Sequence, residues 1–526
     1  MYRTIRRTPR PGRARPDALA LFLFEGADTV PADYQPWDDR LDNALADLLR
    51  RPEFTAARGT VTPAYPAAGA DRLFVCGLGK PERFDANALR AAAARLLRAA
   101  AAAGVQRLEV ACPAELHDKL DAEQAGLALG DGFAIAHFDF DAFKGAAGQP
   151  DAKAKTPPKP VDLHVTLDRA LAAGFDRALA VGEGQHTART LAATPPNVAN
   201  PRYIVDHCRK LARKTGLRCT VIDAKKAEQL GMGGITAVGR AGSTPPALVA
   251  LEWPGRARPS GGSGRAATTK KKQPPASPIL LVGKAVTFDT GGYSLKVGGA
   301  MQGMKYDKCG GMAVIGAMQA VANLKLDLPV VGLVPVVENM IDEHAYRVDD
   351  IITLYNGVTV EITNTDAEGR LILADALAYG TRHYQPRAVL DLATLTGGVV
   401  VALGSYCAGL WCNDDDLRRR LHAASERTGE RLWQMPLWDD HRDQMKSTHA
   451  DLANSADREA HPIQGAAFLS YFVGDRAATE MPRLPWAHLD IAGVAATKGD
   501  TDKTGLYPKG PTGFGVRLLA DLLHRW

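Results

Sequence analysis

"NTDAEGRLILADAL", residues 364–377, sets Asp366, Glu368 and Arg370 at every second position and then runs into an apolar stretch with helical spacing. An acid near a helix start has an ordinary reading, since Asn364, Thr365 or Asp366 can cap the helix and negative charge there complements its dipole. That accounts for some of the acid and leaves the arginine without a role. If 363–368 is extended, side chains two apart point the same way, and Asp366, Glu368 and Arg370 share one face. The stretch then reads as a strand edge running into a helix, with a charged group at the junction. Open α/β sheets bind ligands beyond the carboxyl ends of their strands.

The same alternation continues on both sides. "PILLVGKAVTFDTGG" (278–292) reads as a strand ending in glycines, "GGMAVIGAMQAVANL" (310–324) as a helix, "PVVGLVPVV" (329–337) as a buried strand and "AVLDLATLTG" (388–397) as another. "ALVALEW" (247–253) and "PILLVGK" (278–284) read as neighbouring strands. Nearer the start, "ALALFLF" (18–24), "RLFVCGLGK" (72–80) and "RLEVAC" (107–112) are strands, with an Ala-rich helix ahead of the last one closed by Gly104. The pattern predicts an α/β fold of two domains, a smaller one over 17–175 and a larger catalytic one over 176–526 with a mixed central sheet flanked by helices. "KGAAGQPDAKAKTPPKPV" (144–161) reads as an exposed loop.

Length and composition set limits on function. A chain of 526 residues with 46% hydrophobic content can bury a large core. No apolar run approaches the ~18 residues of a membrane span. The opening "MYRTIRRTPRPGRARP" has no apolar core behind its arginines, which argues against a secretory signal. Seven scattered cysteines without a CxxC pair suit a reducing compartment, and a cytoplasmic protein is expected. The formal charge of +5 conceals an asymmetry, because residues 1–16 and 254–278 carry twelve positive charges and no acid, which leaves −7 for the rest. The first is rich in Pro and the second in Pro, Gly and Ser, and both are expected to be disordered, one as a tail and the other as a flexible insertion. As basic appendages they also offer an accessory route to nucleic acid through phosphate contacts.

Lys284 and Asp289 in "VGKAVTFDTGG", Lys296 seven residues on, and Asp307 in "MKYDKCGG" join Asp366 and Glu368 as four carboxylates and two lysines at strand ends or turns. Carboxylates gathered in a water-poor cleft repel one another and protonate unless counter-charge is supplied. Divalent cations supply it, and four carboxylates can hold two ions ~3.5–4 Å apart if some of them bridge. An oxygen-rich donor set suits Mg or Mn, and Zn also accepts carboxylates. Spacing alone leaves the reaction open, since an ion pair of this kind suits a phosphoesterase as well as a peptidase.

"VGKAVTFDTGGYSLK", "MKYDKCGGMAV", "NTDAEGRLILADAL" and "ATLTGG" resemble the successive blocks of the leucine aminopeptidase (cytosol aminopeptidase) family of dinuclear-metal exopeptidases, whose octapeptide "NTDAEGRL" is intact. "TPPNVANP", "PWAHLDIAG" and "GPTGFGVRLL" extend the resemblance from about residue 190 to the C-terminus, and "RLFVCGLGK" resembles the family's smaller N-terminal domain. The resemblance implies a metal-dependent aminopeptidase with Lys284, Asp289, Asp307, Asp366 and Glu368 as metal ligands. It implies two divalent ions per subunit, Mn or Zn with Mg or Co as alternatives. It further implies Lys296 as the cation that polarises the scissile carbonyl and Arg370 as holder of a bicarbonate ion. Peptides with a free N-terminus as substrates, a homohexamer and a cytoplasmic location follow from the same likeness. None of these seven positions departs from the family pattern.

Met304, Thr394 and Gly397 match family residues that line the pocket for the substrate side chain, although a methionine at this place also suits plain core. His488 reads as a packed core histidine, Cys309 as a small residue at a helix start, and Glu338 as a buried, hydrogen-bonded acid near the site. "GLGK" (77–80) lacks the pattern of a phosphate-binding loop.

Overall fold

Apolar strands alternating with helices build two α/β units, and the computed structural model describes residues 2–8, 15–112, 116–145, 160–167, 169–256, 277–474, 480–497 and 505–526. One unit comprises Met1–Gly182 with Thr497–Gly510, and the other Glu183–Ala496 with Pro511–Trp526. The division falls inside the Arg169–Ala193 helix, further along than the expected boundary at 175, and a short segment near the C-terminus belongs with the first unit.

The first unit is built on six strands, β1 (Tyr2–Thr8), β2 (Ala18–Phe24), β3 (Val61–Ala64), β4 (Arg72–Gly79), β5 (Arg107–Ala111) and β6 (Val161–Thr166). They lie in the order β1-β6-β5-β2-β4-β3, parallel apart from the β3 edge. The Ala86–Ala102 helix, capped by Asp85 accepting from the Ala88 N–H at 2.7 Å, packs an alanine and leucine face into this core.

β1 corrects the expectation of a disordered tail over 1–16. Residues 2–8 pair in parallel with β6, Ile5 packs against the core, the Thr4 hydroxyl donates to Asp162 at 2.9 Å, and Arg7 pairs with Asp176 at 2.8 Å. An edge strand needs backbone partners and one apolar contact, which a composition argument does not count. Residues 9–14, the loop over 146–159 and the basic stretch 257–276 lie outside the described residues.

The second unit holds β7 (Arg218–Asp223), β8 (Ala247–Trp253), β9 (Ile279–Gly283), β10 (Ala285–Asp289) and β11 (Val330–Asn339). A small sheet of β12 (Ile351–Thr353), β13 (Thr359–Glu361) and β17 (Leu452–Ala453) stands apart from the main one. β14 (Ala388–Ala393), β15 (Ala408–Cys412), β16 (Leu432–Gln434) and β18 (Trp486–Asp490) complete a nine-stranded mixed sheet in the order β16-β15-β18-β14-β9-β11-β8-β7. β10 continues the line of β9 along the second half of β11. β8 and β9, expected as neighbours, are separated by β11, which pairs with β8 antiparallel and with β9 parallel.

Residue alternation on the central strands decides which helix each face meets. A Cβ on Gly332 would touch Met318 and Val314 of the Cys309–Leu324 helix, whereas one on Gly380 of the Glu368–Tyr384 helix would touch Leu280 and Leu333. The two helices therefore cover opposite faces, and their N-termini come to the carboxyl ends of β9, β14 and β11. Among the described residues no helix is long and apolar enough to cross a membrane.

The approach of the Cys309–Leu324 helix to the sheet is backbone to backbone. A Cβ on Gly310 would lie 2.1 Å from the Leu392 carbonyl oxygen, and one on Gly283 would lie 2.5 Å from the Gly310 carbonyl oxygen. Gly310→Ala is expected to destabilise the protein by about 1–3 kcal/mol, the usual cost of overpacking. Chemical denaturation measures it, and a gain of about 1 kcal/mol, which glycine-to-alanine replacement brings to an unhindered helix, would show that the contact relaxes freely.

Candidate metal centre

Lys284 occupies the break between β9 and β10. Its N–H donates to the Leu392 carbonyl of β14 at 3.0 Å and its carbonyl accepts from Gly311 N–H at 2.6 Å, so its backbone is committed to neighbours on both sides. The side chain crosses Gly369, where a Cβ would meet its Cε at 2.5 Å, and its buried ammonium lies 3.0 Å from Asp307 Oδ1 and 2.8 Å from Glu368 Oε1. It also donates to the Thr394 carbonyl at 2.9 Å.

Asp289 ends β10. Its Oδ1 accepts from Gly291 N–H at 2.9 Å and from Asn339 Nδ2 at 2.8 Å, and its Oδ2 lies 2.9 Å from Lys296 Nζ. Lys296 donates as well to Asp366 Oδ1. Asp307, one turn before the Cys309–Leu324 helix, accepts from the Thr394 hydroxyl at 2.8 Å.

The opening stretch folds differently from an extended strand edge. β13 stops at Glu361, Asp366 N–H donates to the Asn364 side chain at 2.8 Å in a turn, and Glu368 is the first residue of the Glu368–Tyr384 helix. Glu368 and Arg370 are thus on the first helical turn, where residues two apart do not share a face. The group still converges, because the turn brings Asp366 to Lys296 while the helix start points Glu368 at Lys284. Arg370 is buried, its Nη1 donating to the Asn454 carbonyl at 2.7 Å.

Burial sets the electrostatics. It pushes the Glu368 carboxyl up to about 8, with Asp289 adding to the effect and Lys284 opposing it. Asp307 rises to about 6 from burial, against the pull of Lys284, and Asp366 is raised by burial and then by Asp289. Burial disfavours the charge on Lys284 and Lys296, but the surrounding carboxylates outweigh it and hold both ammoniums well above the usual lysine range. Arg370 is drawn down to about 10 by burial.

Asp289, Asp366 and Glu368 bring oxygens within 4.8 Å of one another. Asp307 Oδ2 and Glu368 Oε2 accept no hydrogen bond from any described residue, and Glu368 Oε1 has only the Lys284 ammonium beside it. Buried carboxylate oxygens without donors, in a set of four acids against two lysines, are short of positive charge. A hard divalent cation fits that deficit.

The site also contains residues that the sequence reading missed. Asn339 donates to both Asp289 and the Thr365 carbonyl, and the Tyr346 hydroxyl donates to the same carbonyl at 2.6 Å. Asn454 accepts from Thr363 N–H at 2.9 Å and donates to the Asn364 carbonyl at 2.7 Å, bracing the turn before Asp366. Only Asn339 had a signal, as a polar residue closing an apolar run. Of the expected pocket residues, Met304 is half-buried, Gly397 is exposed at the start of a short helix, and Thr394 spends its hydroxyl on Asp307. His488 is fully buried with Nδ1 at 2.5 Å from Asp391 Oδ1, Glu338 accepts from the Ser243 N–H and hydroxyl at 2.6 and 2.7 Å, and Cys309 opens its helix.

Both parts of the chain have counterparts among known proteins. Residues 186–520 match the cytosol aminopeptidase family's catalytic domain, and residues 20–146 match its N-terminal domain. The chain is 40% identical over 517 residues to a probable cytosol aminopeptidase of Syntrophotalea carbinolica, covering 97% of each, and 40% identical over 515 residues to one of Cenarchaeum symbiosum, covering 98% of this chain and 97% of the relative. Among solved structures it is similar to the bottromycin maturation enzyme BotP in complex with Mn, with TM-score 0.79 and 33% identity over 97% of this chain and 99% of that one. A tomato leucine aminopeptidase mutant gives TM-score 0.81 at 28% identity, over 99% of this chain and 96% of that one. With both family domains matched and the oxygens of Asp289, Asp366 and Glu368 grouped closely enough to hold a cation, the chain belongs to the cytosol aminopeptidase family and is a metal-dependent aminopeptidase.

Proposed function

We propose that Lys284, Asp289, Asp307, Asp366 and Glu368 hold two divalent cations, with Mn favoured by the oxygen-rich donors and by the Mn complex of BotP, and Zn, Mg or Co as alternatives. The observation that carries this reading is the set of buried carboxylate oxygens that no described residue satisfies. Bound there, such ions activate water and stabilise the charge that develops on a carbonyl oxygen.

The chain's own residues divide the remaining work. Lys296, more open to solvent than Lys284 at 15% against 4% side-chain exposure, keeps its proton and donates to the carbonyl oxygen of the first peptide bond as negative charge builds on it. Lys284, whose ammonium Asp307 and Glu368 hold charged, would release its proton to solvent only on metal binding, when a cation takes over the positive charge between those carboxylates and the neutral amine can serve as a ligand. Arg370 offers a fixed planar fork that suits a planar oxyanion such as bicarbonate, and its Nε has no acceptor among the described residues. Met304, Thr394 and Gly397 line the pocket for the N-terminal side chain. The substrates are peptides with a free N-terminus, hydrolysed at the first peptide bond, and the protein works in the cytoplasm as a homohexamer.

A panel of aminoacyl-p-nitroanilides, assayed with Mn, Zn, Mg and Co after chelation, tests the activity and the choice of metal. Glu368→Ala should lose at least one ion by elemental analysis and nearly all turnover while staying folded; full metal content with normal turnover would remove Glu368 from the ligand set. Lys296→Ala should keep its metal content and lose ~10²–10³ in kcat, the scale of one lost electrostatic stabiliser. Loss of the metals in that variant would mean that Lys296 serves the ions instead of the substrate.

Stability of the chelated protein should depend on pH with a definite sign. Glu368 at about 8 and Asp307 at about 6 bind protons more tightly when folded than when unfolded, so their contribution is fully present below the unfolded carboxyl range and fades as pH rises through 6 to 8. The melting temperature should therefore fall from pH 5 to pH 8 without metal, and the rise on adding Mn should be larger at pH 8 than at pH 6. An equal rise at both values would contradict the shifted carboxyls.

A further inference from the structure

We infer that Asn339 is a positioning residue for the metal centre, one whose side-chain amide fixes the orientation of Asp289 and the height of the Thr365–Asp366 turn together. The inference rests on the ligand reading proposed above and adds a residue that the ligand set does not contain.

Asn339 closes β11, a strand whose ten residues are all buried, and its own side chain is fully shielded from solvent. It stands opposite Asp289 in the parallel register between β10 and β11. Its Nδ2 donates to Asp289 Oδ1 at 2.8 Å and to the Thr365 carbonyl at 3.1 Å, so both amide hydrogens are used. Its backbone carbonyl accepts from Thr290 N–H at 3.0 Å and from the Thr290 hydroxyl at 2.9 Å. One residue thus grips the end of β10 through its main chain and through its side chain, and reaches across to the segment that carries Asp366.

The direction of the amide is dictated by its neighbours. Turned over, its oxygen would face a carboxylate oxygen and a carbonyl oxygen, with no hydrogen between them. In the orientation it has, Oδ1 finds no donor among the described residues and lies against Gly292, where a Cβ would approach it to 3.2 Å. Gly292 has φ +63 and Gly291 φ +87, so the chain makes a left-handed turn directly under this oxygen. The arrangement leaves one acceptor of the asparagine unused in order to place both donors.

The choice of a neutral amide has a consequence for charge. Asp289 Oδ1 is engaged by two neutral donors, Gly291 N–H and Asn339, while Lys296 is the cation beside Oδ2 among the described residues. Neutral donors hold the carboxylate plane without cancelling the negative charge that a cation needs. A lysine or arginine at 339 would supply the same hydrogen bonds and compete with the ion. Hydrogen-bond partners of metal-binding carboxylates typically govern affinity by 10–100-fold, and Asn339 adds leverage because it acts on two ligand-bearing segments at once. It is not one of the proposed ligands, and its effect passes through Asp289 and the turn that carries Asp366.

The test is a calorimetric Mn titration of chelated wild-type protein and of Asn339→Ala, with metal content after gel filtration and far-UV circular dichroism on the same samples. Asn339→Ala should keep the wild-type dichroism, bind at least one Mn ion ~10–100-fold more weakly, and recover much of its kcat when Mn is raised to saturation, with the substrate KM little changed. Asn339→Leu fills the space without a donor and should give the same weakening, which separates a lost hydrogen bond from a cavity. Wild-type affinity in either folded variant would overturn the inference, and so would unfolding of both, which would assign Asn339 to the folding of β11. Failure of the wild-type protein to bind Mn or any other divalent ion would instead overturn the ligand reading.

Discussion

The mutual repulsion of four gathered carboxylates, three of them buried and Asp366 half-buried, is the constraint around which the second unit is arranged. Asp289, Asp307, Asp366 and Glu368 come from four separate segments, and each segment delivers its acid where something tolerates it. Two lysines sit between the acids at 2.8 to 3.0 Å. Two helices begin at the site, and the partial positive charge of a helix N-terminus favours the acids placed there. The strand ends contribute the rest, because the break after β9 turns Lys284 inward and the end of β10 hands Asp289 to two neutral donors. Such a cluster is expensive without cations, a cost that the proposed binding of divalent ions would offset.

The two lysines look alike in sequence and differ in their setting. Lys284 is buried at a strand break, its backbone bonded on both sides and its stem laid over Gly369. Lys296 lies in a loop flanked by glycines with positive φ, among them Gly291, Gly292, Gly298 and Gly299. A side chain on rigid backbone suits fixed coordination, and one on a glycine-bracketed loop suits contact with a substrate that comes and goes. On the proposed assignment, backbone context alone divides the same chemistry between two roles.

Elements with strong periodicity were legible in the sequence. β2, β4, β5, β11 and β14 stand where continuous apolar runs put them, and the Ala86–Ala102 and Cys309–Leu324 helices follow their 3.6-residue spacing. β1 was not legible, because its order comes from backbone pairing with β6, some 150 residues away, and its arginines read as a solvated tail. The pairing of β8 was also hidden, since chain order suggested β9 and the partner is β11. For the site, residue types and spacing located the acids, and the family resemblance suggested roles for them, but the extended geometry assigned to 363–368 gave way to a turn and a helix start. Asn454 and Tyr346 left no mark in sequence, because their importance lies in carbonyls that tertiary folding brings to them.

The segment Thr497–Gly510, counted with the first unit, ties the two ends of the chain together. Leu506 and Tyr507 are members of the first unit's core, and Arg98 donates to the carbonyls of Gly505 and Leu506. During synthesis the ribosome releases these residues only after nearly the whole second unit has been made. The N-terminal unit therefore waits, with part of its interior open, until the last few dozen residues emerge. A fragment ending at residue 182 is an incomplete object for the same reason, and a stop codon ahead of Gly505 would wound the beginning of the protein as well as its end.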